Sequence, residues 1–125
     1  YLVGNQFQVF IVSWRNPHAE HRDWGMDEYV SALLEAMEAV RDITGSPDLI
    51  IHAACSGAMT AAALAGYLAA TGDKRIAAMT LMVAVLGLAE GPLGLFNTSE
   101  VSRTAKLASS EKGVLDGMEM NRVFA

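Results

Sequence analysis

Short apolar runs alternate along the chain with longer stretches whose apolar positions recur every three or four residues. Residues 7–13 (FQVFIVS) are rich in β-branched and aromatic side chains between polar neighbours, the signature of a buried strand. Residues 14–25 are polar and aromatic, contain Pro17, and are expected to form a loop. Tyr29, Val30, Leu33, Leu34, Met37, Val40 and Ile43 then follow i, i+3, i+4 spacing, with Glu28, Glu35, Glu38, Arg41 and Asp42 on the other side. That predicts an amphipathic helix lying on a sheet. Asp27 is placed to cap it, and Glu28 falls in the first turn, where the macrodipole favours an anion. Gly45 and Pro47 mark its end.

Residues 49–54 (LIIHAA) form a second apolar run and predict a second strand. Residues 56–71 are dense in Ala and Leu and are followed by Gly72. They predict a helix that is apolar nearly all round and so buried on most sides. Residues 76–86, with Thr80, Val83 and Val85, predict a third strand. The order β-α-β-α-β with short connections implies an α/β fold: a parallel sheet with right-handed crossovers and helices on its faces. Beyond residue 86 the character changes. Gly87, Gly91, Pro92 and Gly94 interrupt regular structure, and residues 99–110 predict one more helix, capped by Ser99. This tail has too few apolar positions for a core of its own. The expected organisation is therefore a core segment over 1–88 and the start of a cap or lid insertion over 89–125.

Composition narrows the function. Nine Lys and Arg against fourteen Asp and Glu give a net charge of −5, and 52% of the 125 residues are apolar against 18% charged. Such a chain is too apolar for a disordered tail. It also lacks the basic stripe that neutralises phosphates, so no nucleic-acid partner is expected. A single cysteine, Cys55, excludes an internal disulfide framework and a Cys-rich zinc site, and no metal is expected. The apolar runs 58–70 and 76–89 fall short of the ~20 unbroken residues of a spanning helix. There is no targeting segment and no initial Met, which leads to the expectation of an internal piece of a larger, soluble, cytoplasmic protein.

The chemistry concentrates in Ile50-Ile51-His52-Ala53-Ala54-Cys55-Ser56-Gly57-Ala58-Met59. A strand runs into a small-X-Cys-X-Gly turn and a helix starts at once, the context of a nucleophile elbow with Cys in place of Ser. Such a turn strains the nucleophile's backbone. Bulky groups two residues to either side are expected to clash, and Ala53 and Gly57 fill those places. The turn lifts Sγ clear of the sheet, sets it at a helix N-terminus where thiolate is favoured, and aims the Ser56 N–H at the position of an oxyanion. A thiolate suits a thioester substrate, because acyl exchange between thiols is nearly isoenergetic. Acyl transfer through a covalent acyl-cysteine is the resulting expectation.

Blander readings stand beside this one. A cysteine at a strand end is often an inert, buried small residue. His52 lies three residues before Cys55 on a strand and is expected to point away from it, as a packed or hydrogen-bonded histidine. His18 and His21, with Glu20, Arg22 and Asp23, are expected to form a solvated or salt-bridged loop rather than a metal site. Ser46 and Ser56 have no base nearby in sequence, and Met79, Met82, Met118 and Met120 read as core filler or interface.

Several motifs are similar to those of one family. Val12-Ser13-Trp14-Arg15-Asn16-Pro17, Trp24-Gly25, Val40-Arg41-Asp42-Ile43-Thr44-Gly45-Ser46, Ala54-Cys55-Ser56-Gly57, Leu81-Met82-Val83-Ala84-Val85-Leu86 and Gly113-Val114-Leu115-Asp116-Gly117-Met118-Glu119-Met120 together resemble the polyhydroxyalkanoate synthases, most closely the class that accepts medium-chain monomers. The resemblance implies an α/β-hydrolase core, with Cys55 acylated by (R)-3-hydroxyacyl-CoA and Ser56 N–H as one arm of the oxyanion hole. It further implies a growing polyester chain as acceptor, no cofactor beyond the CoA thioester itself, a homodimer, and a place at the surface of cytoplasmic polymer granules. The family's catalytic Asp and His match no residue here. Its Gly-X-Cys-X-Gly-Gly box reads Ala53-Ala54-Cys55-Ser56-Gly57-Ala58, and Gly87 stands where the family often has Asp. The rival expectations are a Cys-type esterase or lactonase of the same fold, and a non-catalytic granule-associated protein with a degenerate elbow.

Overall fold

The computed structural model describes residues 1–86, 99–114 and 117–118. Helix α1 spans Met26–Thr44, strand β1 Leu49–Ala54, helix α2 Ser56–Thr71, strand β2 Ile76–Met82 and helix α3 Ser99–Lys112. Short 3-10 turns occupy Val3–Asn5 and Ala19–His21. Strands β1 and β2 pair in parallel, running from Leu49↔Ile76 to Ala54↔Met82, with one register shift between Leu49 and Ile50. Helix α2 is the crossover between them, as a parallel pair requires.

The core forms where α1 and α2 meet over one face of this sheet. Val30 and Met37 from α1 and Leu64 and Leu68 from α2 are buried, with Leu33, Leu34, Leu49, Ile51 and Ile76 packed against them. Strand alternation explains the register of burial: Leu49, Ile51 and Ala53 turn toward the helices, whereas Ile50, His52 and Ala54 are exposed on the other face. An ionic cluster ties α1 to the turn between α2 and β2. Arg75 Nε donates to Asp73 Oδ2 at 2.7 Å, and the same guanidinium also reaches Glu38 of α1. The side-chain hydrogen bond from Arg75 holds the Asp73 carboxyl below its usual range.

Several sequence expectations are corrected. Residues 7–13 form no strand, and their apolar side chains are exposed, Ile11 at 87%. A strand exists only through its ladder, and among the described residues nothing pairs with this segment. The β-α-β-α-β expectation is thus met from α1 onward only. The N-cap of α1 is Gly25, not Asp27, because Glu28 Oε2 accepts the Gly25 N–H at 2.6 Å and fixes the helix start two residues earlier. Helix α2 is buried along one face only, through Ala58, Ala61, Leu64 and Leu68 at i, i+3, i+4 spacing. Met59 and Tyr67 on its other side are exposed. Strand β2 ends at Met82 rather than running to residue 86, since Val83 takes a left-handed φ of 46° that no strand accommodates. Helix α3 continues to Lys112 and includes Ser99 as its first residue. Gly87, Gly91, Pro92, Gly94, Asp116 and Met120 lie outside the described residues.

Candidate functional site

The site is built from the ends of two adjacent strands. Strand β1 stops at Ala54, and helix α2 begins at Ser56, so a single residue, Cys55, makes the whole turn. It does so at φ 55°, ψ −126°, a conformation costly for any residue with a Cβ. The reversal is held from two sides. The Cys55 N–H donates to the Met82 carbonyl of β2 at 3.0 Å, and the Cys55 carbonyl accepts the Ala58 N–H at 3.0 Å as the first bond of the helix. The side chain makes no capping hydrogen bond, and the residue is exposed. The thiol is therefore not buried among the described residues.

Ser56 occupies the first helical position, where the N–H has no preceding turn to bond to. No backbone acceptor for it is present among the described residues. A free donor beside Sγ, at the positive end of a sixteen-residue helix, is where an oxyanion would be stabilised. The cysteine's own N–H is committed to β2, so the donors this turn leaves over are the N–H groups of Ser56 and Gly57, with Ser56 next to the cysteine in sequence.

The small residues of the elbow behave differently from the expectation. A Cβ at Gly57 would meet nothing within 4 Å among the described residues, so contacts within this chain do not require glycine there. Ala53 is half-buried on the helix-facing side of β1. Ala58 is wholly buried and packs into the core, so its methyl group is accommodated as ordinary helix packing.

The other candidates lie elsewhere. His52 sits on the exposed face of β1, as alternation predicts. His18 and His21 belong to the 3-10 turn: His21 Nδ1 accepts the His18 N–H at 2.9 Å, its ring stacks against Trp24 with centroids 4.0 Å apart, and Glu20 approaches its Nε2 at 4.0 Å. The two histidines thus pack within a loop, as expected, with a hydrogen bond between them. Ser46 Oγ donates to the Asp48 carbonyl at the start of β1. Among the described residues no three His, Cys, Asp or Glu side chains are grouped to hold a metal ion, and no helix is long and apolar enough to cross a membrane. Trp14, Arg15 and Trp24 line a separate open cleft of about 530 Å³ against α1, which does not include Cys55. Sequence reasoning missed the Met82 carbonyl and Val83. Neither carries a compositional signal, because one acts through its backbone oxygen and the other through a backbone angle.

Comparison with known proteins places this geometry. The chain is 45% identical over its whole length to Poly(3-hydroxyalkanoate) polymerase 1 of Ectopseudomonas oleovorans and covers 22% of that protein. It is 32% identical to the Poly(3-hydroxyalkanoate) polymerase subunit PhaC of Cupriavidus necator, again over the full chain and 22% of the relative. A third polymerase, from Methylorubrum extorquens, is 29% identical over 99% of the chain and 21% of its own length. The chain thus spans about a fifth of the curated relatives it matches. No solved structure matches it significantly. The α/β-hydrolase fold family matches residues 1–106, which carry both strands and the Cys55 elbow, and the chain belongs to that family.

Proposed function

We propose that this chain supplies the nucleophile of a polyhydroxyalkanoate polymerase. The observation that carries the reading is Cys55: an exposed thiol on a strained single-residue turn between β1 and α2, beside a free helix N–H. Three relatives named as polymerases of 3-hydroxyalkanoates support the substrate class.

In this reading Cys55 Sγ, as thiolate, attacks the carbonyl carbon of an (R)-3-hydroxyacyl-CoA. The Ser56 N–H stabilises the oxyanion, and collapse expels the CoA thiolate, leaving an acyl-cysteine. The hydroxyl at the end of the growing chain then attacks the acyl-cysteine carbonyl, giving its proton to the base that first activated Cys55; the C–S bond breaks, Cys55 leaves as thiolate, and the new ester remains. The catalytic Asp and His that the family resemblance implies match no residue of this chain, so the base belongs to other parts of the protein. Residues 1–88 serve as the core segment and 89–125 as the start of a cap. A homodimer acting at the surface of cytoplasmic polymer granules completes the proposal. No cofactor is required, since the thioester brings its own leaving group.

The test uses the full-length natural protein with a medium-chain (R)-3-hydroxyacyl-CoA. Polymer and free CoA are the expected products, and Cys55→Ala abolishes both. Release of the free hydroxy acid in place of polymer would make the protein an esterase or lactonase. Undiminished polymer from the Cys55→Ala variant would remove Cys55 from the chemistry.

A further inference from the structure

The residue after β2 is as strained as the nucleophile turn. Val83 has φ 46°, in the left-handed region. Asn, Asp and Gly enter that region readily, but a β-branched side chain there is a genuine outlier. The Val83 side chain does not hold the backbone in place by packing, because it is 79% exposed. The restraint comes from either side. Before it, the Met82 carbonyl accepts the Cys55 N–H at 3.0 Å. After it, Ala84 and Val85 are half-buried. With both flanks anchored, the angle at residue 83 decides how the Met82–Val83 peptide plane is turned, and that plane carries the oxygen that holds the elbow.

The two left-handed residues therefore stand on either side of one hydrogen bond, at the carboxyl ends of adjacent parallel strands. That edge is where open α/β sheets place their ligands. We infer that Val83 is a positioning residue for Cys55: its left-handed backbone aims the Met82 carbonyl at the Cys55 N–H and so sets the pose of the thiol. The position supplies a backbone angle and not a side-chain surface. The inference rests on the reading of Cys55 as nucleophile. It adds that the Cys55 N–H is spent on positioning and is not available to an oxyanion.

The experiment compares Val83→Asn with Val83→Pro in the full-length natural protein. Asn adopts a positive φ with little strain. Pro locks φ near −65°, and its demand for an extended preceding residue is already met by Met82 in β2. Two readouts are taken: kcat and KM with an acyl-CoA, and the pH profile of Cys55 alkylation by iodoacetamide. The proline variant is expected to lose at least ~10-fold in kcat with KM within about twofold, and to show a displaced alkylation profile, because small misplacements of a reacting group cost about that much or more. The asparagine variant is expected to keep both readouts within about twofold of wild type. Loss of kcat in the asparagine variant, with activity kept by Val83→Ile, would overturn the inference by showing that the side chain matters. An unchanged alkylation profile in a folded proline variant would overturn it too. If the proline variant does not fold, Val83→Asn and Val83→Gly decide alone: retained kcat in both supports the inference, and loss in both overturns it. Failure of the nucleophile reading is separable, since undiminished turnover by Cys55→Ala sinks that reading, while alkylation still reports whether residue 83 sets the thiol's surroundings.

Discussion

The two ends of the parallel pair solve the same geometric problem with opposite residues. Where the chain enters β1 and β2, it leaves a helix through a left-handed residue, and in both cases that residue is glycine: Gly45 at φ 68° and Gly72 at φ 74°. Where the chain leaves the same two strands, it again turns through residues of positive φ, and there they are Cys55 at φ 55°, ψ −126° and Val83 at φ 46°. Glycine takes this conformation without penalty, whereas a residue with a Cβ pays of order 1–3 kcal/mol. The entering end is a helix C-cap that closes with ordinary backbone bonds, Gly45 N–H to the Arg41 carbonyl at 2.7 Å and Gly72 N–H to the Ala69 carbonyl at 3.3 Å. The leaving end keeps a costly arrangement around an exposed thiol. At Cys55 the strain is retained where glycine would relieve it, which fits the proposed need for its thiol, whereas at Val83 the proposed role lies in the backbone angle itself.

The sharpest way to break this comparison is to exchange the chemistry of the two ends. Gly72→Val puts a β-branched residue into the helix cap at φ 74°. The added Cβ itself meets no neighbour within 4 Å among the described residues, so the cost expected here is the conformational one. A loss of about 2 kcal/mol is expected, read as a lower denaturation midpoint of the full-length protein at unchanged slope. Stability within a few tenths of a kcal/mol of wild type would show that left-handed backbone is cheap in this fold and would remove the contrast.

The converse change sharpens it. Cys55→Gly relieves strain of order 1–3 kcal/mol and gives back up to about 1 through the freer unfolded chain, so a net gain of about 1 kcal/mol is expected. Acyl transfer is expected to vanish in the same variant. A more stable protein without chemistry is the pattern of a stability–activity trade-off. A destabilised Cys55→Gly would mean that the thiol's packing, not its reactivity, explains its place.

The same contrast explains how much of the molecule is legible in its sequence. Strand β1 and helix α2 occupy the predicted residues, because the apolar run 49–54, the small residues after it and Gly72 are local signals that agree with one another. Residues 7–13 are, like β1, a short apolar run, yet they form no strand, since pairing depends on a partner far away in sequence and composition does not specify one. The Cys55 turn is legible because strand, small residues and helix follow without a gap. Val83 is not, because valine is a strand former and β2 was expected to continue through it. At Val83 that preference gives way to a positive φ beside the Met82 carbonyl that holds the elbow. The Gly25 cap was missed for a similar reason: the acceptor is the Glu28 side chain, while Asp27, the stronger capping residue by type, lies inside the helix.

The smallest expected effect lies at the entering end, where charges rather than backbone angles brace the turn into β2. Asp73 accepts from Arg75 through both carboxylate oxygens, Oδ2 from Nε at 2.7 Å and Oδ1 from the backbone N–H at 3.0 Å. The side-chain bond is the main reason the carboxyl is held below its usual range. A carboxylate whose folded-state value is depressed favours the folded protein at pH above the ordinary aspartate value of about 3.9, and that contribution disappears as pH falls through the lower folded-state value. Asp73→Asn keeps an oxygen for the backbone bond but sets an NH2 donor against Arg75 Nε, so it removes the charge and the side-chain hydrogen bond together. Exposed ion pairs contribute little and are screened by salt, so near neutral pH the variant should melt only slightly below wild type, and less so at high salt. Below pH about 4 the two melting curves should converge. A gap that widens with acidification would show that Asp73 is protonated in the folded state, and the ionic brace between α1 and the turn into β2 would then rest on Glu38 and Arg75 alone.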